Sequence, residues 1–185
     1  MEIITGTSNF EMNIDTAVAI GKFDGVHIGH RRLLEEILAK KAEGLAPCVF
    51  TFDPSPAKVF GIDEGAELTS REEKRELLER CGVEILVEYP LTRELAAMEP
   101  EDFVRDVLVG GLSARFVAAG KDVSYGNKGR GDGRLLLKLS KELGFSVSLI
   151  DKVCIDGIEV SSTAIRECIE RGDINMAERM LGRKP

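Results

Sequence analysis

The chain has 185 residues, 43% of them hydrophobic and 31% charged, with 25 Lys and Arg against 32 Asp and Glu for a net charge of −7. That describes one globular domain able to bury a sizeable core, and the acidic balance argues against duplex nucleic acid, whose phosphates call for clustered positive charge. No apolar run approaches the roughly 18 residues needed to span a bilayer, and the start MEIITGTSNFE does not read as a signal peptide, so no membrane partner is expected.

In chain order, short β-branched runs alternate with helical patterns. TAVAIGKF (16–23) reads as a strand and HRRLLEEILAKKAEG (30–44) as a helix closed by Gly44. LAPCVFTF is a second strand, followed by DPSPAKVFG (53–61), which reads as a loop because its two prolines forbid regular pairing. Ser70 and Glu73 form a capping box for the helix SREEKRELLERCG, and VEILVEY is a third strand. EPEDFVRDVLVGGL is a helix with acidic residues in its first turn. The strand ARFVAAG, a glycine-rich loop, the helix DGRLLLKLSKELG and the strand FSVSLI come next. VCIDGIEV reads as a hairpin with an Asp-Gly turn, and the helices SSTAIRECIERG and DINMAERMLG meet at Gly172 and Asp173.

This alternation predicts an α/β fold, a doubly wound parallel sheet with a small β appendage. Ligands of such sheets bind beyond the carboxyl ends of the strands, where GKFDGVHIGH (21–30), DPSP and GKDVSYGNKGRGD (120–132) all fall. The four cysteines, Cys48, Cys81, Cys154 and Cys168, lie far apart without a CxxC pair, as expected of reduced thiols in a cytoplasmic protein.

Both histidines of the chain, His27 and His30, sit in GKFDGVHIGH. Gly21 and Gly25 suit a sharp turn, and Gly29 leaves the helix start open, so that its N–H groups and positive dipole end can face an anion. Imidazoles three residues apart on the first turn can donate together to phosphate oxygens. Zinc would need a third ligand with its own supporting shell, and only Asp24 is near, so no metal ligand is assigned. SSTAIR (161–166) is the second constellation. Its adjacent hydroxyls can cap a helix and donate to phosphate, and Arg166 adds a guanidinium fork one turn in.

HxGH after a first strand, paired with a late SSTxIR, resembles the nucleotidyltransferase superfamily. In order and spacing, GKFDGVHIGH, VFTFDPSP, AAGKDVSYGNKGRGD and VSSTAIRECIERGDINMAERMLGR resemble the FMN adenylyltransferase module of bacterial bifunctional FAD synthetases. The resemblance implies a Rossmann-like fold over residues 1–185 and transfer of AMP from Mg-ATP to FMN, giving FAD and pyrophosphate. It places His27, His30 and Arg166 in catalysis. Gly21, Phe23, Asp24, Gly29, Ser161, Ser162 and Thr163 would bind ATP, and Pro54, Ser55, Pro56, Phe60, Asp122, Tyr125 and Gly126 the flavin. Magnesium would travel with ATP.

The flavin side departs from the family's pattern. Ser55 stands where histidine is usual, and Val123 and Tyr125 occupy aromatic positions. In the family LGR leads on to a riboflavin kinase domain; here the chain stops at LGRKP, which reads either as a stand-alone adenylyltransferase, its riboflavin kinase domain separate or missing, or as the first module cut from a longer protein, and no kinase activity is expected of these residues. Two rival readings stand beside this one: a nucleotidyltransferase of the same superfamily with another phosphorylated acceptor, and a flavin- or nucleotide-binding module without turnover. The letters HIGH are also similar to those of class I aminoacyl-tRNA synthetases, but KLSKE (138–142) falls within an amphipathic helical run and reads as a solvated helix face.

Overall fold

The computed structural model describes residues 1–62, 65–93 and 95–184, and for Pro56 and Ala57 the backbone alone. Six strands form one all-parallel sheet: β1 Glu2–Thr5, β2 Thr16–Ile20, β3 Ala46–Phe52, β4 Ile85–Tyr89, β5 Ala114–Gly120 and β6 Ser146–Ile150. Their order is β1-β4-β3-β2-β5-β6. The chain winds outward from β2 through β3 and β4, then returns to lay β5 and β6 on the other side. The crevice of a doubly wound sheet opens where the order reverses, here above β2 and β5.

The period of two along each strand sorts the core into two layers. Val18, Ile20, Phe50 and Val87 face one side, with Phe103, Leu108, Leu136 and Leu139. Ala17, Ala19, Val49 and Leu86 face the other, with Leu34, Ile37 and Leu78. The first layer is covered by α5 (Gly133–Leu143) and by a turn, α4 (Pro100–Asp102), that runs into the π-helix Phe103–Gly111. The second is covered by α1 (Ile28–Ala39) and α3 (Arg71–Arg80). The predicted capping box is present: Ser70 Oγ accepts from Glu73 N, and Glu73 accepts from Ser70 N. Two helices, α6 (Ser162–Glu170) and α7 (Ile174–Leu181), close over a small third core around Ile165 and Met180.

Four features differ from the sequence expectation. The edge strand β1 was not anticipated; its four residues pair with β4. DPSPAKVFG is not all loop, because Pro56 opens the short helix α2 (Pro56–Phe60), and proline's fixed φ and missing N–H are tolerated at a helix start. The segment after Glu99 is largely π-helical rather than α-helical. Only one side of KLSKE is solvated, since Leu139 and Ser140 are buried. The small β appendage is the antiparallel pair β7 (Cys154–Ile155) and β8 (Ile158–Glu159), joined at Asp156 and Gly157, both at positive φ as a type I′ turn requires. Among the described residues no helix is long and apolar enough to cross a membrane.

Candidate active site

A cavity of about 890 Å³ lies over the carboxyl ends of β2, β3, β5 and β6. Between β2 and α1 the chain makes a tight turn in which Phe23 (φ 53°), Gly25 (φ 78°) and Val26 (φ 40°) all take left-handed backbone. Such conformations are costly for Phe and Val and persist only where surrounding contacts hold them. Here distant segments do so. Gly25 N donates to Thr69 Oγ1 (3.1 Å), Arg183 Nη1 donates to Gly25 O (2.7 Å), and Ser162 Oγ donates to Asp24 O (2.9 Å). Asp24 Oδ1 accepts from Leu68 N (2.8 Å) and Thr69 N (3.3 Å).

The turn delivers His27 to the N-cap of α1, where its Nδ1 accepts from His30 N (3.2 Å). In the neutral ring the proton is thereby assigned to Nε2. The two imidazoles stack with centroids 3.6 Å apart, and Phe23 closes the stack beneath His30 at 4.9 Å. A Cβ on Gly29 would lie 3.1 Å from the His27 ring, so glycine there admits the imidazole against the helix start. Burial lowers the pKa of His27 to about 4, with the Arg183 charge a lesser contributor. The pKa of His30 is held well below the ordinary histidine value, by burial first and then by the charges of His27 and Lys74. Both rings are therefore neutral near pH 7, and among the described residues His30 Nδ1 is buried with no hydrogen-bond partner.

Across the cavity, Ser161 caps α6 by accepting from Ala164 N (3.1 Å), with Thr163 on the first turn and Arg166 one turn in. Arg166 is not a free cation: its Nη1 lies 2.8 Å from Asp24 Oδ2, with both side chains largely buried. One wall contains a saturated carboxylate, Glu88, at 1% side-chain exposure. Arg71 (2.5 Å) and Arg75 (2.6 Å) both pair with it, and Arg71 also reaches Thr5 and Asp53. Burial alone would raise this carboxyl; the hydrogen bonds and charges of Arg75 and Arg71 outweigh it and hold the pKa at about 2.

A second cavity of about 610 Å³ adjoins the first, the two sharing Phe52 and Ser124 in their walls. It is apolar and aromatic, with Phe60, Tyr89, Phe103 and Tyr125 in its lining. Phe60 is 53% exposed, whereas Tyr125 is 4% exposed and packs against Phe103 at 5.5 Å.

The first cavity brings together His27, His30, Arg166, Gly21, Asp24, Gly29, Ser161, Ser162 and Thr163. Phe23 is the correction among these residues: it is fully buried beneath His30 and supports the imidazoles without lining the cavity. The residues assigned to the flavin divide. Ser55 and Asp122 line the first cavity, and Phe60, Tyr125 and Gly126 the second. Pro54 is exposed and lines neither, and the Pro56 side chain lies outside the described residues. The sequence reading missed Lys74, Glu88, Arg71 and Arg183. Lys74, Glu88 and Arg71 lie far in sequence from the two motifs, and no local pattern marks them; Arg183 ends the stretch VSSTAIRECIERGDINMAERMLGR, but nothing in the string shows that it returns to the histidine turn.

A parallel α/β sheet with stacked imidazoles at one helix start and a hydroxyl-rich helix start opposite has the architecture of a nucleotidyltransferase. A family model described as FAD synthetase matches residues 9–164, and the chain belongs to that family. It is 34% identical over 186 residues to the bifunctional riboflavin kinase/FMN adenylyltransferase of Escherichia coli (strain K12), covering 98% of this chain and 59% of that protein. The protein of the same name from Listeria monocytogenes is 35% identical over 175 residues, covering 92% and 54%. The chain thus spans a little over half the length of these curated relatives.

Among solved structures, a Streptococcus pneumoniae protein described as a macrolide-efflux protein superimposes with a TM-score of 0.83 at 24% identity, covering 98% of this chain and 59% of that one. A Francisella tularensis pantoate-beta-alanine ligase superimposes at 0.53 and 12% identity, covering 95% and 79%. At these identities the likeness shows the fold alone.

Proposed function

We propose that the protein transfers the adenylyl group of ATP to the phosphate of FMN, giving FAD and pyrophosphate. The observation that carries this reading is the meeting of two unlike cavities. One holds both histidines and the SSTAIR helix start; the other is an aromatic cleft, and they share the wall at Phe52 and Ser124. An oxygen of the FMN phosphate attacks the α-phosphorus of ATP, the bond from that phosphorus to the oxygen bridging to the β-phosphate breaks, and pyrophosphate leaves with that oxygen. No protein nucleophile takes part. Catalysis consists of positioning and electrostatic stabilisation.

In this reading His27 and His30 grip the triphosphate beside the α-phosphate, first as neutral donors. A polyphosphate at this distance favours their charged forms, so the site gains positive charge as substrate arrives. Ser162, Thr163 and Arg166 hold the β- and γ-phosphates, with Asp24 fixing the Arg166 fork beforehand. Gly21, Gly29 and Ser161 shape the backbone of that pocket. Phe60, Tyr125 and Gly126 border the isoalloxazine ring, while Ser55 and Asp122 line the first cavity. Among the described residues no group of three or more His, Cys, Asp or Glu is arranged for a metal ion. Magnesium enters as Mg-ATP in this reading, keeping much of its water shell. We read the 185 residues as one adenylyltransferase domain of a cytoplasmic enzyme and assign riboflavin kinase activity to none of them.

The test is an endpoint assay with FMN, ATP and magnesium, following FAD and pyrophosphate by chromatography. Equimolar FAD and pyrophosphate are expected. ATP binding without FAD would move the acceptor to another phosphorylated compound and mark Ser55 and Val123 as the altered positions.

A further inference from the structure

We propose that Lys74 is a further catalytic residue of this site: its ammonium group contacts the phosphates in the first cavity and offsets the charge that builds on them during transfer. The inference rests on the adenylyl transfer proposed above. It begins from α3, where Arg71, Lys74, Arg75 and Leu78 recur at helical spacing on one face. Leu78 is fully buried under the sheet, so this face points inward, and Arg71 and Lys74 both line the cavity.

An account of the charges separates Lys74 from the other cations of that wall. Arg166 is held by Asp24, Arg71 by Glu88 and Asp53, Lys58 by Glu67, and Lys152 by Asp122 and Glu159. Lys22 is not without a partner either. The histidines are neutral. A triphosphate with three or four negative charges would therefore enter a cavity whose cations are largely compensated. Lys74 is half-buried and, among the described residues, has no carboxylate within ion-pair distance. It stands close enough to His30 for its charge to oppose protonation of that ring. A half-buried ammonium with no carboxylate beside it leaves its donors open to an anionic ligand. Its long stem lets the charge follow a phosphate as the bond order changes, unlike a guanidinium already fixed by a carboxylate.

The experiment compares wild type, Lys74→Gln and Lys74→Arg in two measurements. The first is FAD formation at saturating FMN and Mg-ATP; the second is calorimetric binding of inorganic tripolyphosphate, which needs no acceptor. Lys74→Gln is expected to lower kcat about 100-fold and tripolyphosphate affinity about tenfold. Lys74→Arg should keep most of both, and the thermal midpoint should be unchanged because no ion pair is lost. Near wild-type values of both quantities in Lys74→Gln would overturn the proposal, as would a loss matched by a fall in thermal midpoint that Lys74→Arg does not restore. If wild type forms no FAD while Lys74→Gln still binds tripolyphosphate tenfold more weakly, the acceptor reading fails and the phosphate contact stands. If wild type forms no FAD and the variant binds tripolyphosphate as wild type does, both fail.

Discussion

Two buried electrostatic clusters line one cavity and solve the same problem in opposite ways. Glu88 keeps its charge and is saturated with partners: two guanidiniums reach it, and one of them continues to Thr5 and Asp53. His27 and His30 give up their charge to burial and are left with spare capacity, including an unpartnered buried Nδ1 on His30. Buried polar groups in folded proteins are usually paired, because an orphaned one costs on the order of 1–3 kcal/mol. A satisfied cluster supports the fold, and the unsatisfied one is, in the function proposed above, held ready for a ligand. The strained backbone agrees: left-handed Phe23 and Val26 lie beside the histidines and are clamped from residues 68–69, 162 and 183.

The largest effect that would sharpen this contrast is on turnover. His27→Ala is expected to lower FAD formation by roughly 100- to 1,000-fold, as loss of a preorganised donor at a developing charge does. Stability should change by only about 1 kcal/mol, because the ring contributes one weak capping bond and its stack on His30. Steady-state kinetics and urea unfolding of the same preparation test both halves. Turnover within a few fold of wild type would end the assignment of the imidazoles to phosphate.

Glu88→Gln should show the reverse pattern. Replacing the carboxylate leaves two guanidiniums facing a neutral amide, and removing one member of a buried ion pair is strongly destabilising. Arg71 and Arg75 can turn partly to solvent, so the expected loss is about 2 kcal/mol in unfolding free energy, with turnover per folded molecule changed less than about threefold. A collapse of turnover without a loss of stability would mean that the cluster touches substrate, and the contrast would fail.

How much of this was legible depended on the range of each interaction. The doubly wound sheet was readable because β-branched runs and helical periods alternate along the chain, and GKFDGVHIGH and SSTAIR because each is a local string. The edge strand β1 escapes because its four residues carry too little pattern, and α2 because proline reads as a breaker although it is admissible at a helix start. Lys74, Glu88 and Arg183 are ordinary charged residues in the sequence. Their meaning comes from which sheet edge or turn they meet, 40 or more residues away from the histidine turn or, for Glu88, 13 and 17 from its arginines. Phe23 shows the converse: it lies inside the most specific motif yet acts as core.

The smallest effect concerns acid stability, where the two clusters separate by pH window. Unfolded His27 takes up a proton near 6.5, but the folded ring does so only near 4. Between those values the unfolded state binds more protons, so stability falls as pH drops through that range. From pH 6.5 to 5.5 the loss assignable to His27 is about 1 kcal/mol. Glu88 titrates near 4.5 when unfolded and about 2 when folded, so its contribution is fully present above 4.5 and is lost as pH falls towards 2. Urea midpoints from pH 7 to 3 should accordingly show a shallower upper limb in His27→Ala, with His30 supplying the remainder, and a shallower lower limb in Glu88→Gln. If His27→Ala follows the wild-type curve between 6.5 and 5.5, the ring is not kept neutral by the fold. The stacked histidines would then be charged in the absence of ligand, and burial would not be what sets them apart from Glu88.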